Sequence, residues 1–222
     1  MPAVAGRRPL SPDRVIAAAL RLVDRHGLDG LSMRRLGGAL RVEAMSLYKH
    51  VPNKGMLIDL VVERVLAGVV PPTPGAAWQA RLRHVAHELR RVALEHPHVF
   101  PLLATRVPSS PRAFAPLEVL LGSLGDAGLD DAATLQHFWA VVAYITGALL
   151  AETAALTGAG TTSIVVPATL DPAAFPNMER LGAAIATCDF ATEYARGLEI
   201  LIAAVRAAAK RRPRRLSSAR RR

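Results

Sequence analysis

The 222-residue chain has a single cysteine, Cys188, which excludes an intramolecular disulfide framework and any cysteine-based zinc site. A small buried apolar side chain in a reducing cytoplasm is its expected role. Strand-forming runs are few while aliphatic residues and alanine abound, so an all-α fold is expected. No glycine-rich phosphate loop follows a strand, no zinc-ligand spacing occurs, and no carboxylate pair stands on an apolar background. No catalytic residue, cofactor or metal ion is therefore expected. His84 and His87, and His96 and His98, lack a convincing carboxylate or cysteine partner and read as solvent-facing or core histidines. Residues 1–9 carry arginines but no apolar run before Asp13 and Arg14, so no signal peptide is expected.

One uncharged stretch, 132–151, is long enough to cross a bilayer. It contains Gln136, His137, Trp139, Tyr144 and Thr146, and Asp130-Asp131 and Glu152 flank it without a basic anchor. A buried helix in a helical bundle is the expectation, with no membrane partner.

Charge is abundant but uneven. The formal net charge is +10, carried by 25 arginines and only 3 lysines against 18 acids. Residues 1–60 hold 10 basic and 5 acidic side chains, residues 61–209 hold 10 and 13, and the tail 210–222 holds 8 and none. A basic N-terminal segment on a mildly acidic body suggests that the first part meets a polyanion. The tail is expected to be disordered. It either adds nonspecific, salt-sensitive DNA affinity or is simply solvated.

Ser11-Pro12-Asp13 starts a helix: an N-cap hydroxyl, proline at the first position and an acid in the first turn. It runs to about His26, with Ile16, Leu20 and Val23 on one face, and Gly27 ends it. Ser32 caps a second, short helix through about Leu40, with Leu36 and Leu40 inward and Arg34, Arg35 and Arg41 outside. Gly37-Gly38 weakens that helix, which must lean on tertiary packing. After the turn at Arg41-Val42, a helix over 43–51 puts Leu47 and Val51 inward. Ala44, Met45, Ser46, Tyr48, Lys49 and His50 are left on its outer side. Asn53 caps a fourth helix, with Met56, Leu57, Leu60, Val61 and Leu66 as its apolar stripe.

A short helix, a tight turn and a second helix with an exposed polar face read as a helix-turn-helix. Small residues early on the outer face can approach base edges, and the hydroxyls, imidazole and ammonium behind them can reach phosphates. An ordinary amphipathic helix with a mixed surface reads the same stretch equally well.

Leu31-Ser32-Met33-Arg34-Arg35-Leu36 and Leu47-Tyr48-Lys49-His50-Val51-Pro52-Asn53-Lys54-Gly55-Met56-Leu57 carry a resemblance. Segment 10–66 resembles the DNA-binding domain of the TetR family of bacterial transcriptional repressors, nearest the tetracycline repressors. The arginine-rich composition suits a GC-rich bacterial genome. The resemblance implies that Arg34 contacts a base or a phosphate, that Ala44, Met45 and Ser46 meet base edges, and that Tyr48 and His50 hold phosphates. It also implies that Lys54 and free N–H groups at the start of its helix grip one phosphate. Ser32 and Lys49 complete the candidate DNA contacts. Where the tetracycline repressors read a base with glutamine, this chain has Ala44. Recognition must then lean on Met45, Ser46 and Arg34, and the operator is expected to differ from the tetracycline operator.

Pro71-Pro72-Thr73-Pro74-Gly75 marks a boundary. The expected organisation is an N-terminal three-helix helix-turn-helix DNA-binding domain over 10–70, joined to a C-terminal helical ligand-binding and dimerisation domain over 76–209. Helices are expected over about 76–95, 97–105, 110–127, 130–156, 175–187 and 188–210, with a Gly, Thr and Pro loop over 157–172. His96-Pro97-His98, Leu103-Ala104-Thr105-Arg106, Ala127-Gly128-Leu129, Tyr144-Ile145-Thr146-Gly147 and Phe190 through Leu201 resemble, more loosely, the tetracycline-repressor type of body. That type implies a four-helix dimer interface built from the long helix and the last helix, beside an effector cavity. Phe100, Leu102, Leu103, Phe114, Leu117, Phe138, Trp139 and Tyr144 are the candidate apolar lining, with His87, Thr105 and His137 as polar handles; core packing is the competing role for each. Leu102 replaces the histidine that helps bind the drug's magnesium in tetracycline repressors, so metal-dependent tetracycline binding is not expected.

These readings converge on a cytoplasmic, homodimeric repressor that binds a palindromic double-stranded DNA operator and is released by an apolar or amphipathic small molecule. A helical-bundle enzyme or a membrane-associated helical protein with a fortuitous helix-turn-helix pattern is the alternative.

Overall fold

A computed structural model describes residues 9–103, 105–106, 110–160, 167, 169–187 and 189–211. Cys188, residues 212–222 of the basic tail and most of the loop over 161–168 lie outside the described residues. Among those described, all regular structure is helical.

The chain opens with α1 (Pro12–His26), where Ser11 Oγ accepts from Arg14 N at 3.3 Å. It ends at Gly27, whose φ of 66° is a left-handed value that glycine adopts without a Cβ penalty. A 3-10 turn (Leu28–Gly30) leads to α2 (Met33–Leu40), capped by Ser32 Oγ accepting from Arg35 N at 3.2 Å. The end of α2 is closed by Arg41, at φ 56°. Arg41 N donates to Gly38 O at 3.1 Å and Val42 N to Gly37 O at 3.0 Å, a left-handed C-cap that satisfies two orphan carbonyls.

The next helix, α3, is shorter than the sequence suggests: Ala44–Leu47 rather than 43–51. Beyond Leu47 the chain continues as turns, with His50 N and Val51 N both donating to Leu47 O. Pro52 accounts for this, because proline disfavours helical backbone at the residue before it. Leu47 and Val51 are nevertheless fully buried. Then α4 (Lys54–Leu66) starts at Asn53, whose Oδ1 accepts from Met56 N at 2.8 Å.

The remaining helices are α5 (Trp78–Glu95), α6 (Phe100–Leu103), α7 (Pro111–Asp126), α8 (Asp131–Thr157), α9 (Pro176–Ala186) and α10 (Phe190–Lys210). They divide between two compact units, one of Met1–Val70 with Leu89–Phe114, the other of Pro71–Glu88 with Ala115–Arg222. The first unit thus reaches past the boundary at 71–75 and takes in the end of α5, α6 and the start of α7.

Its core is built from Val15, Ala19 and Val23 of α1, Leu31, Leu36, Leu47, Val51, and Leu57, Val61 and Val65 of α4, joined by Val92, Val99 and Ala113. Each fully buried Leu or Val contributes roughly 1.5–3 kcal/mol. Met56, expected in the apolar stripe, is instead 47% exposed. Leu57, Val61 and Val65 occupy the inward face at helical spacing, and Met56 lies one residue off it. Polar ties attach the later segment: Arg91 Nη2 donates to Gly68 O at 2.7 Å, His96 Nδ1 lies 3.0 Å from Asp24 Oδ1, and Arg106 pairs with Asp59. The sequence left His96 without a carboxylate partner; Asp24, distant in the chain, supplies one.

In the second unit α8 packs on α10. Phe138, Val141, Ile145 and Leu149 are buried on α8, and Tyr194, Leu198, Ile202 and Val205 on α10. Thr153, fully buried on α8, satisfies its own hydroxyl by donating to Leu149 O at 2.7 Å. The expectation of a buried α8 holds for one side only. Just 28% of its most apolar stretch is buried, and Leu135, Trp139 and Leu156 are more than half exposed, as is Ile200 on α10.

Candidate nucleic-acid interface

Leu47 and Val51, each at 0% exposure, anchor α3 and the turn after it. Their burial fixes which neighbours face out. Met45 is 74% exposed and Tyr48 42%; Lys49 is exposed, and Ala44, Ser46 and His50 are half-buried. Arg34, in the first turn of α2, is exposed. Ser32 serves first as the α2 cap, which occupies its oxygen as an acceptor and leaves the hydroxyl hydrogen able to donate.

The approach of α2 to α3 depends on Gly37. A Cβ there would stand 2.8 Å from Val42 O, closer than real side chains come, and a tight 3.3 Å from Ala44 N. At Gly38 nothing lies within 4 Å. In sequence the pair reads as two equal helix weaknesses; in the structure only Gly37 is sterically required. The signal available was its place, five residues before the turn residue Val42.

At α4, Asn53 Oδ1 serves the Met56 N–H, so the Lys54 and Gly55 N–H groups have no partner within the helix. They stand at the positive end of the helix dipole beside the exposed Lys54 ammonium, an arrangement suited to one phosphate. Small residues, a flexible thioether and a hydroxyl on α3, with cations and an aromatic hydroxyl after it, match what reading a major groove requires.

The candidate effector residues are split between the units. Phe100, Leu102, Leu103, Thr105 and Phe114 belong to the first, where Phe100 is buried, Leu102 and Leu103 pack against the core, and Thr105 and Phe114 are exposed. His87, Leu117, His137, Phe138, Trp139 and Tyr144 belong to the second. There the structure assembles a group that sequence reasoning missed, centred on buried Tyr194. Tyr144 stacks on it at 5.9 Å, His87 meets it edge-on at 6.3 Å, and its hydroxyl donates to Ala86 O at 2.7 Å. His137 Nδ1 donates to Ala133 O at 2.8 Å, which leaves Nε2 as the acceptor in the neutral ring. Trp139 contacts Phe138 edge-on but is 61% exposed, so one chain alone does not enclose it. Two hydrogen bonds from Arg83, at 2.5 and 2.8 Å, hold the Glu199 carboxyl below its ordinary range. Among the described residues, no three His, Cys, Asp or Glu side chains gather as a metal site.

Residues 71–209 match the family described as tetracyclin repressor-like, C-terminal domain. The chain belongs to the TetR family. TetR-family regulators are DNA-binding transcription factors, not enzymes. The chain is 38% identical over 144 residues to an HTH-type transcriptional regulator of Saccharopolyspora erythraea, a match covering 64% of this chain and 61% of that one. It is 35% identical over 148 residues to the class E tetracycline repressor protein of Escherichia coli, covering 65% and 70%. The structure of ActR from Streptomyces coelicolor in complex with actinorhodin is similar with a TM-score of 0.76 at 32% identity, covering 91% of this chain and 99% of that one. This TetR-family chain therefore spans about three fifths of the first relative's length and nearly all of ActR.

Proposed function

We propose that the protein is a homodimeric, ligand-responsive repressor. Residues 10–70 read DNA, and 76–209 dimerise and bind the effector. The observation that carries this reading is Met45, 74% exposed on a helix whose Leu47 is fully buried: an apolar side chain presented outward by a rigid support. Ala44, Met45 and Ser46 meet base edges, with apolar contact to thymine methyls. Ser32, Arg34, Tyr48, Lys49, His50 and Lys54 hold the backbone, Arg34 also being within the base-reading set.

A second copy covers the exposed side of α8 and α10, where Leu135, Trp139, Leu156 and Ile200 stand out. That pairing sets two α3 helices about 34–36 Å apart on a palindromic site. An apolar or amphipathic effector binds in the body among Leu117, Phe138 and Tyr144, with His87 and His137 as polar handles. It favours a state with the wrong spacing and so releases DNA. Such a protein works in the cytoplasm. ActR, at 32% identity, has a structure in complex with actinorhodin, which makes that compound the first to screen.

The test is a footprint of the purified protein on genomic fragments that it retains. Two protected half-sites one turn apart support the reading; protection without two-fold pattern, or none, contradicts it. Compounds that raise the melting temperature and release the fragment would identify the effector, and the absence of any such compound would favour a DNA binder with a solid core.

A further inference from the structure

Beside α3 runs a groove that no sequence motif announces. Arg14 on α1, Gly38 near the end of α2, Arg41 in the turn, and Glu43 and Ser46 line it. It shares Arg14, Leu40 and Arg41 with a second hollow that continues to Ala17, Arg21 and Ala39. Arg14 Nη1 donates to Pro9 O at 2.7 Å, which draws its guanidinium toward the start of α1. Arg21 and Arg41 are exposed, and Arg41 is presented by its left-handed backbone. Leu10, Leu40 and Val42 make part of the lining apolar, but the surface is low elsewhere. Gly38 has no heavy atom within 4 Å of a Cβ position, and Ala17 and Ala39 offer only methyl groups. Glu43 is the acid in the lining.

Three guanidinium groups along a surface kept low at Gly38, Ala17 and Ala39 suit a phosphodiester backbone. The planar fork of arginine matches phosphate oxygens, and the small residues at those three positions let the strand come within reach. Ser46, a proposed base reader, lines the first hollow and Arg21 the second. Arg14 and Arg21 are about 10 Å apart along α1 at 1.5 Å per residue, the axial rise of about three nucleotides of one strand.

We infer that Arg14, Arg21 and Arg41 form a second phosphate-binding track, which holds the DNA backbone flanking each half-site outside the bases that α3 meets. This rests on the DNA-reading proposal above and extends its footprint. Being phosphate contacts, these arginines add affinity and register without changing base preference.

The test uses the full chain and its selected operator in two lengths, one ending at the last consensus base pair and one extended by about five base pairs on each side. Arg21→Gln and Arg41→Gln should each lower the salt slope by about one per bound protomer on the extended duplex. Both should leave base preference unchanged, and Arg21→Gln should match wild type on the short duplex. At Arg21, inside α1, Gln is a helix former close to Arg; Arg41 stands after α2 at φ 56°, and thermal melting verifies that each variant folds. Wild-type slopes for both variants on the extended duplex would overturn the inference, as would an equal loss for Arg21→Gln on both lengths. Lys54→Ala separates the two levels. If it lowers the slope while the arginine variants do not, only the flanking track fails. If no consensus duplex is obtained at all, the DNA-reading proposal fails and the track with it.

Discussion

The Tyr144 hydroxyl occupies the space that a Cβ on residue 197 would fill, so the tyrosine of α8 and the glycine of α10 require one another. The hydroxyl shares its proton between Tyr194 O at 2.8 Å and Glu193 O at 3.0 Å, which sets the ring flat along the backbone of α10. Gly197→Ala should therefore destabilise the protein by about 1–3 kcal/mol through overpacking, read as a fall in Tm. The double variant with Tyr144→Ala should melt no lower than Tyr144→Ala alone. Simple additivity would show that the two residues do not compete for the same space.

The same tyrosine predicts a pH effect. Burial, reinforced by the Glu193 carboxylate, raises the Tyr144 pKa above the usual 10.0. The unfolded chain then gives up this proton at lower pH than the folded one. Tyr144 thus contributes stability that is complete below about pH 10 and is lost as pH rises through the folded pKa. Wild type and Tyr144→Phe, melted at a series of pH values, should converge above pH 10. Parallel curves would remove Tyr144 from the account.

Gly37 and Gly38 should respond oppositely to alanine. Gly37→Ala pushes a methyl against Val42 O and should lower Tm and weaken DNA binding together. Gly38→Ala meets nothing within 4 Å and should stabilise the protein by up to about 1 kcal/mol through helix propensity. Equal effects on Tm would mean that the turn yields more easily than its geometry implies.

Lys54→Ala should reduce the salt slope by about one per bound protomer, and Tyr48→Ala should weaken binding to all sequences alike. Met45→Ala or Ser46→Ala should instead change which bases are preferred. Unchanged preference in both would assign specificity to DNA shape.

Trp139→Glu and Ile200→Glu each place a charge on the apolar surface left open by α8 and α10. Sedimentation equilibrium should show wild-type dimers and variant monomers. Variants that remain dimeric would locate the interface elsewhere.

The order and type of the helices were legible because caps and apolar periodicity are local: Ser11, Ser32 and Asn53 accept from the third residue on, as their types imply. The outward set on α3 followed from the inward pair Leu47 and Val51. What depends on distant partners was not legible. Asp24 beside His96, Tyr194 at the centre of an aromatic group, and Gly197 beneath Tyr144 arise only when remote segments meet. The exposure of Trp139 was hidden for another reason: a uniformly apolar helix such as α8 has no periodicity to reveal which side a single chain leaves open.

Selecting bound DNA from a random pool, at stated salt, tests the central claim most directly. The account predicts a palindromic consensus with half-sites about one helical turn apart, retained when residues 212–222 are removed. No consensus, with binding that disappears along with those residues, would contradict it and attribute the affinity to the basic tail.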